Sequence, residues 1–147
     1  MKHAFLLVLA SIITLSSSLA ATVPVRWLQG PQGYKQALAL QKETNLPILV
    51  WTTWHECPYC GQVTTYLAKP QPKKALQPYI RIVIDEHGNR AEAALAAEKD
   101  YKGGNFYIIA PSDPTKKDSL WAWKLDGGRV ILPDLDAQLV AKLTAAK

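Results

Sequence analysis

One stretch narrows the architecture of this 147-residue chain more than any other. Leu46-Pro47-Ile48-Leu49-Val50-Trp51-Thr52-Thr53-Trp54 is a near-continuous apolar and β-branched run, which suits a buried central strand. Shortly after it, from Gly61 to Lys69, Val63, Tyr66 and Leu67 give the start of a helix an apolar face. Between strand and helix stand Cys57-Pro58-Tyr59-Cys60, which contain the only two cysteines of the chain. A strand feeding directly into a helix is the unit from which layered α/β folds are built.

The rest of the chain extends that alternation. Ala21 to Gly33 reads as irregular, broken by Pro24, Gly30, Pro31 and Gly33, with room for a strand near Val23 to Leu28. Tyr34, Ala37, Leu38 and Gln41 predict a helix from Tyr34 to Thr44, ended by Asn45 and Pro47. Pro58 suits the first turn of the next helix, and Pro70 and Pro72 end or kink it. Tyr79 to Ile84 is a strand, Asp85 to Asn89 a turn, and the alanine-rich segment Arg90 to Tyr101 a helix stopped by Lys102-Gly103-Gly104. Phe106 to Ala110 and Leu120 to Leu125 are strands around a polar loop. Asp126-Gly127-Gly128 is a turn. Asp134 or Asp136 caps a final helix carrying Leu135, Leu139, Val140 and Leu143. The early alternation implies parallel strands joined by crossover helices, and the two late strands an antiparallel hairpin.

Length allows one domain. Its beginning has a separate reading: Lys2 and His3, an apolar run from Ala4 to Leu15, then Ser16-Ser17-Ser18-Leu19-Ala20. This is the pattern of a cleaved secretory signal peptide, too short for a spanning helix of about 20 residues. The expected organisation is a signal over residues 1–20 and one domain over 21–147, in a periplasmic or otherwise exported protein. A net charge of +5 is mild, and Lys73-Lys74 and Lys116-Lys117 read as solvated loops rather than the stripe a nucleic acid needs. With 48% hydrophobic residues and five tryptophans, a genuine core fits this length.

Export sharpens the reading of the cysteines. A lone Cys-x-x-Cys closes a very short loop and constrains little, so it is no structural framework. A structural zinc site wants four ligands, and beyond residue 20 only His55 and His87 are available, with no spacing that draws them to the pair. No metal and no cofactor are expected. Thiol–disulfide exchange is the common use of such a pair at a strand-to-helix junction.

From roughly Tyr34 to Ala145 this order of elements resembles the thioredoxin fold. The resemblance is carried by the strand ending in Trp54-His55-Glu56, by Cys57-Pro58-Tyr59-Cys60 opening a helix, by the Glu92–Tyr101 helix, and by the late strand pair with its Asp126-Gly127-Gly128 turn. It implies a three-layer sandwich, a mixed central sheet of four to five strands flanked by helices. Cys-Pro-Tyr-Cys is similar to the pair in glutaredoxins and periplasmic Dsb-type proteins. The resemblance further implies a monomeric exported thiol–disulfide oxidoreductase acting on protein substrates with thiols or disulfides, with a membrane thiol-transferring protein as electron donor or acceptor. A helix N-terminus favours a thiolate, which makes Cys57 the nucleophile and Cys60, facing the protein, the resolving cysteine. Tyr59 is placed to cover the disulfide and contact substrate. His55 either supports the thiolate or is a solvated loop residue; Glu56 reads as a surface acid or a proton shuttle, and Trp54 as packing beside the loop.

Two positions depart from the family. Trp51 stands where thioredoxins carry a buried carboxylate, and Asn105 where they carry a cis-proline facing the cysteines. A non-proline cis bond costs about 2.5–4 kcal/mol, so a trans bond and a reshaped loop are expected. Gly104 matches the residue that pairs with substrate backbone, so Gly104 and Asn105 join Tyr59 as candidate substrate contacts. Gly103 and Gly104 read either as a close approach to a partner or as a helix cap and turn. The competing functional reading is a binding, assembly or metal-handling module in which exchange is secondary. Trp121 and Trp123 share a strand face in that reading, and packing in the core is their commoner use.

Overall fold

The computed structural model describes residue 24 and residues 26–54, 56–120, 123–131 and 135–145. The proposed signal segment, His55, Trp121 and Asp134 lie outside the described residues. The chain forms β1 (Leu28–Gln29), α1 (Gly30–Thr44), β2 (Ile48–Thr53), α2 (Cys60–Leu67), α3 (Pro70–Leu76) and β3 (Ile80–Asp85). There follow α4 (Arg90–Glu98), β4 (Phe106–Ile109), β5 (Asp118–Leu120), β6 (Lys124–Asp126), β7 (Arg129–Ile131) and α5 (Leu135–Ala145). The main sheet runs β1-β3-β2-β4-β5. β1, β3 and β2 are parallel, while β4 and β5 are antiparallel to their neighbours. This is the mixed five-stranded sheet flanked by helices that the sequence led us to expect.

Side-chain alternation along the strands divides the core in two. Ile48 and Val50 of β2, Ile80, Ile82 and Ile84 of β3, and Tyr107 and Ile109 of β4 point to one face, where Tyr34 and Ala37 of α1 and Ala96 of α4 cover them. Leu49 and Trp51, with Phe106 and Ile108, point to the other, under Val63, Leu67, Leu76, Leu135 and Leu139 of α2, α3 and α5. Being buried on both faces, β2 has no polar side, which is why its sequence shows no alternation.

Several boundaries differ from the sequence reading, each for a physical reason. Helix α1 starts at Gly30, not Tyr34, because Pro31 is tolerated in a first turn and Gly33 lies against β1. A Cβ on Gly33 would stand 3.1 Å from the Leu28 backbone, so the glycine permits this contact rather than breaking the helix. At the other end Asn45 adopts φ 55° and its N–H donates to the Gln41 carbonyl at 2.8 Å. Pro70 does not merely stop α2; it opens the separate helix α3. Helix α4 ends at Glu98, earlier than propensity suggests, and Asp100 turns the chain at φ 50°. Tyr101 thereby reaches the core, with its ring 4.9 Å from that of Tyr107. The expected strand Leu120–Leu125 is divided: Leu120 closes β5 in the main sheet, whereas Lys124–Asp126 pairs with Arg129–Ile131 as a separate hairpin. Gly127 and Gly128, at φ 54° and 74°, form its two-residue turn.

Candidate functional site

Strand β2 delivers the chain to the cysteines from the middle of the sheet. Past Thr53 the backbone turns, with Glu56 at φ 62° and the Cys57 N–H donating to the Trp54 carbonyl at 3.1 Å. Cys57 and Cys60 are joined as a disulfide, with S–S 2.01 Å and Cα atoms 5.4 Å apart. The hydrogen bonds of α2 begin at the Tyr59 carbonyl, which accepts from Gln62 and Val63 N–H at 3.0 and 3.1 Å. Pro58 therefore lies in the turn before the helix and not in its first turn. Cys60, not Cys57, is the first helical residue. Both cysteines are half-buried, and Cys60 packs against the core cluster that contains Val63 and Leu67.

Opposite the disulfide loop lies the segment entering β4. The Gly104–Asn105 bond is trans. Thr52 of β2 organises the segment. Its backbone carbonyl accepts from Gly104 N–H at 2.7 Å, its N–H donates to the Asn105 carbonyl at 2.9 Å, and its hydroxyl accepts from Asn105 N–H at 3.2 Å. The same hydroxyl contacts the Lys102 carbonyl. The Asn105 side-chain amide donates back to the carbonyls of Lys102 and Gly103 at 3.3 and 3.4 Å. Asparagine thus holds by hydrogen bonds a segment that proline would hold by its ring.

The diglycine has an occupant from within the chain. A Cβ on Gly103 would stand 2.6 Å from the Trp54 ring and 2.7 Å from the Glu86 carboxylate, and one on Gly104 2.6 Å from Trp54. Both glycines are needed for the indole to lie on the backbone. Glu86 accepts from Gly103 N–H, and the Trp123 indole N–H donates to the Gly104 carbonyl. Tyr59, between the cysteines, tilts against Trp123 with ring centroids 5.8 Å apart. Tyr59 and Gly104 are therefore linked through Trp123, while Asn105 braces the loop from behind. Thr52 and Glu86 were not foreseen as parts of this site, and Trp123 was expected in the core or on a partner-holding face rather than against Gly104. Only the adjacent glycines, next to so many tryptophans, signalled a close aromatic contact.

Trp51 is buried and stacks on Phe106 with centroids 4.4 Å apart. A group that cannot exchange protons near neutral pH fills this position below the cysteines. His87 is exposed in the β3–α4 turn, its N–H bonded to the Asp85 carboxylate at 3.0 Å. Among the described residues no three His, Cys, Asp or Glu side chains converge into a metal-binding group.

No family model and no curated protein matches the chain. Solved structures do. A thioredoxin from Thermus thermophilus aligns with a TM-score of 0.54 at 21% identity, covering 81% of this chain and 85% of that one. A poplar thioredoxin h aligns with a TM-score of 0.55 at 16% identity, covering 79% and 96%. At such identities the likeness is one of fold: this chain has a thioredoxin-like fold with a Cys-x-x-Cys disulfide at the strand-to-helix junction.

Proposed function

We infer that this protein is an exported thiol–disulfide oxidoreductase that exchanges disulfides with protein substrates. A thioredoxin-like fold with such a pair supports disulfide exchange in general. The observation that carries the finer reading is the asymmetry of the Cys57–Cys60 pair, with Cys60 packed on the core and Cys57 ahead of the helix. In the reduced protein the Cys57 thiolate attacks a substrate disulfide, forming a mixed disulfide and releasing one substrate sulfur as a thiolate that takes up a proton. The Cys60 thiolate then attacks the Cys57 sulfur. The second substrate thiol leaves, and two electrons have passed to the substrate. In reverse, the oxidised pair oxidises a substrate dithiol. The signal-like segment over residues 1–20 supports export, and a membrane thiol-transferring protein would then complete the cycle.

Insulin reduction in dithiothreitol tests this directly. The purified protein is expected to accelerate it, and Cys57→Ser to abolish the acceleration. Cys60→Ser is expected to accumulate a mixed disulfide visible on a non-reducing gel. The reduction potential sets the direction: a value near ~−270 mV marks a reductant and one near ~−120 mV an oxidant.

One observation favours a second reading, a module that holds a partner. The N–H and C=O of Gly104 are both bonded within the chain, so substrate backbone would have to displace Thr52 or Trp123. A wild-type protein inactive on insulin, with an intact reversible disulfide, would favour that reading.

A further inference from the structure

A cavity of about 390 Å³ lies on the sheet face beneath α2 and α3, away from the diglycine loop. Trp51, Leu67 and Leu76 supply buried apolar wall, while Gln29, Thr64 and Lys73 stand exposed at its rim. Its size suits a small molecule, for which pockets run to about 300–1,000 Å³. Its charge is one-sided: among the described residues Arg81 and Lys73 line it, and no acid does. Among the described residues neither cation has a carboxylate partner. Arg81 is only 8% exposed, and among the described residues its guanidinium's one hydrogen bond runs to the Pro24 carbonyl at 2.9 Å.

The buried donors tell the same story. Among the described residues, two buried side-chain nitrogens have no hydrogen-bond partner, Trp51 Nε1 and Arg81 Nε. Both belong to residues that line this cavity. Buried polar groups are normally paired, and an unpaired buried cation is costlier still. The deficit is of acceptors and of negative charge, beside apolar wall.

The geometry points to a binding site for an amphipathic small-molecule carboxylate, its tail against Trp51, Leu67 and Leu76 and its carboxylate toward Arg81 and Lys73. A neutral apolar ligand would leave the guanidinium uncompensated, and a compact dianion would leave the apolar wall unused. The site does not depend on the disulfide chemistry.

Calorimetric titration of the purified protein with decanoate, below its micelle concentration, and with decanol tests the assignment. Decanoate is expected to bind saturably, about tenfold or more tighter than decanol, as one charge-assisted hydrogen bond implies. Arg81→Met should erase that preference. Thr64→Trp, on the exposed side of α2, should obstruct the mouth and weaken both ligands without touching the core. In nitrogen-labelled protein the Trp51 indole N–H resonance should move as decanoate is added. Equal affinity for acid and alcohol, absence of saturable binding, or decanoate binding undiminished by Thr64→Trp would overturn the site. Cys57→Ser is expected to bind decanoate like the wild type, so a failed insulin assay and a failed titration report on different proposals.

Discussion

A methyl group placed on Gly104 would stand 2.6 Å from the Trp54 ring on a backbone at φ 77°. Left-handed geometry costs an L-residue about 1–2 kcal/mol, and overpacking adds about 1–3. Gly104→Ala should therefore lower stability by about 2–5 kcal/mol, read as a drop in the urea midpoint. Gly61→Ala is the control. Gly61 lies in the first turn of α2 with nothing within 4 Å of a new Cβ, and alanine there should stabilise by about 0.5 kcal/mol. A second residue ties stability to pH. Tyr79 is fully buried, its hydroxyl donates to the Leu139 carbonyl, and burial pushes the phenol up to about 12. In the unfolded chain it ionises near 10. Between those values the folded state keeps a proton that the unfolded state has lost, so stability is full below about pH 10 and falls as pH rises toward 12, by up to about 1.4 kcal/mol per pH unit. Urea unfolding at pH 8 and pH 11 should show this fall, and Tyr79→Phe should lessen it, leaving the share of Tyr101, whose phenol burial also pushes up.

Helix α4 depends on its start. The Asn89 side-chain oxygen accepts from the N–H groups of Ala91 and Glu92 at 3.0 and 3.2 Å, and its amide donates to the Glu92 carboxylate at 3.0 Å. Asn89→Ala removes this reciprocal cap and should cost about 1 kcal/mol, measurable as a shift in urea midpoint. Elements like α4 and β2 were legible because their signals are local. The bounds of β2, Ile48 to Thr53, follow from one uninterrupted apolar run. The start of α1 was hidden because Gly33 reads as a breaker unless the nearness of Leu28 is known. The β6–β7 hairpin was hidden because its strands are short and largely exposed. The candidate site divides the same way. The cysteine pair announces itself, and the substitutions at the Trp51 and Asn105 positions are visible by comparison with the thioredoxin pattern. The packing of Trp54 and Trp123 on Gly103 and Gly104 joins residues far apart in sequence, and only the strand order β2-β4-β5 brings them together.

Across the whole molecule the cohesion is apolar, with two clusters pressed on opposite faces of one sheet. The ion pairs among the described residues join Glu98, Asp100, Asp113 and Asp118 to lysines near the surface. Exposed pairs of this kind contribute little and are screened by salt. Raising sodium chloride to about 1 M, where the Debye length falls to about 3 Å, should therefore shift the unfolding free energy by no more than about 1 kcal/mol. A larger loss in a urea titration would mean that charge holds the fold together. The same sheet ends at β1, of two residues, and at β5, of three. A long bare edge would invite the strand of a second molecule to continue the ladder, which is how many β-rich chains aggregate. Among the described residues the broad interior strands are fenced by stubs too brief to template such growth, so crowding many copies together has little to act on at those margins of the sheet.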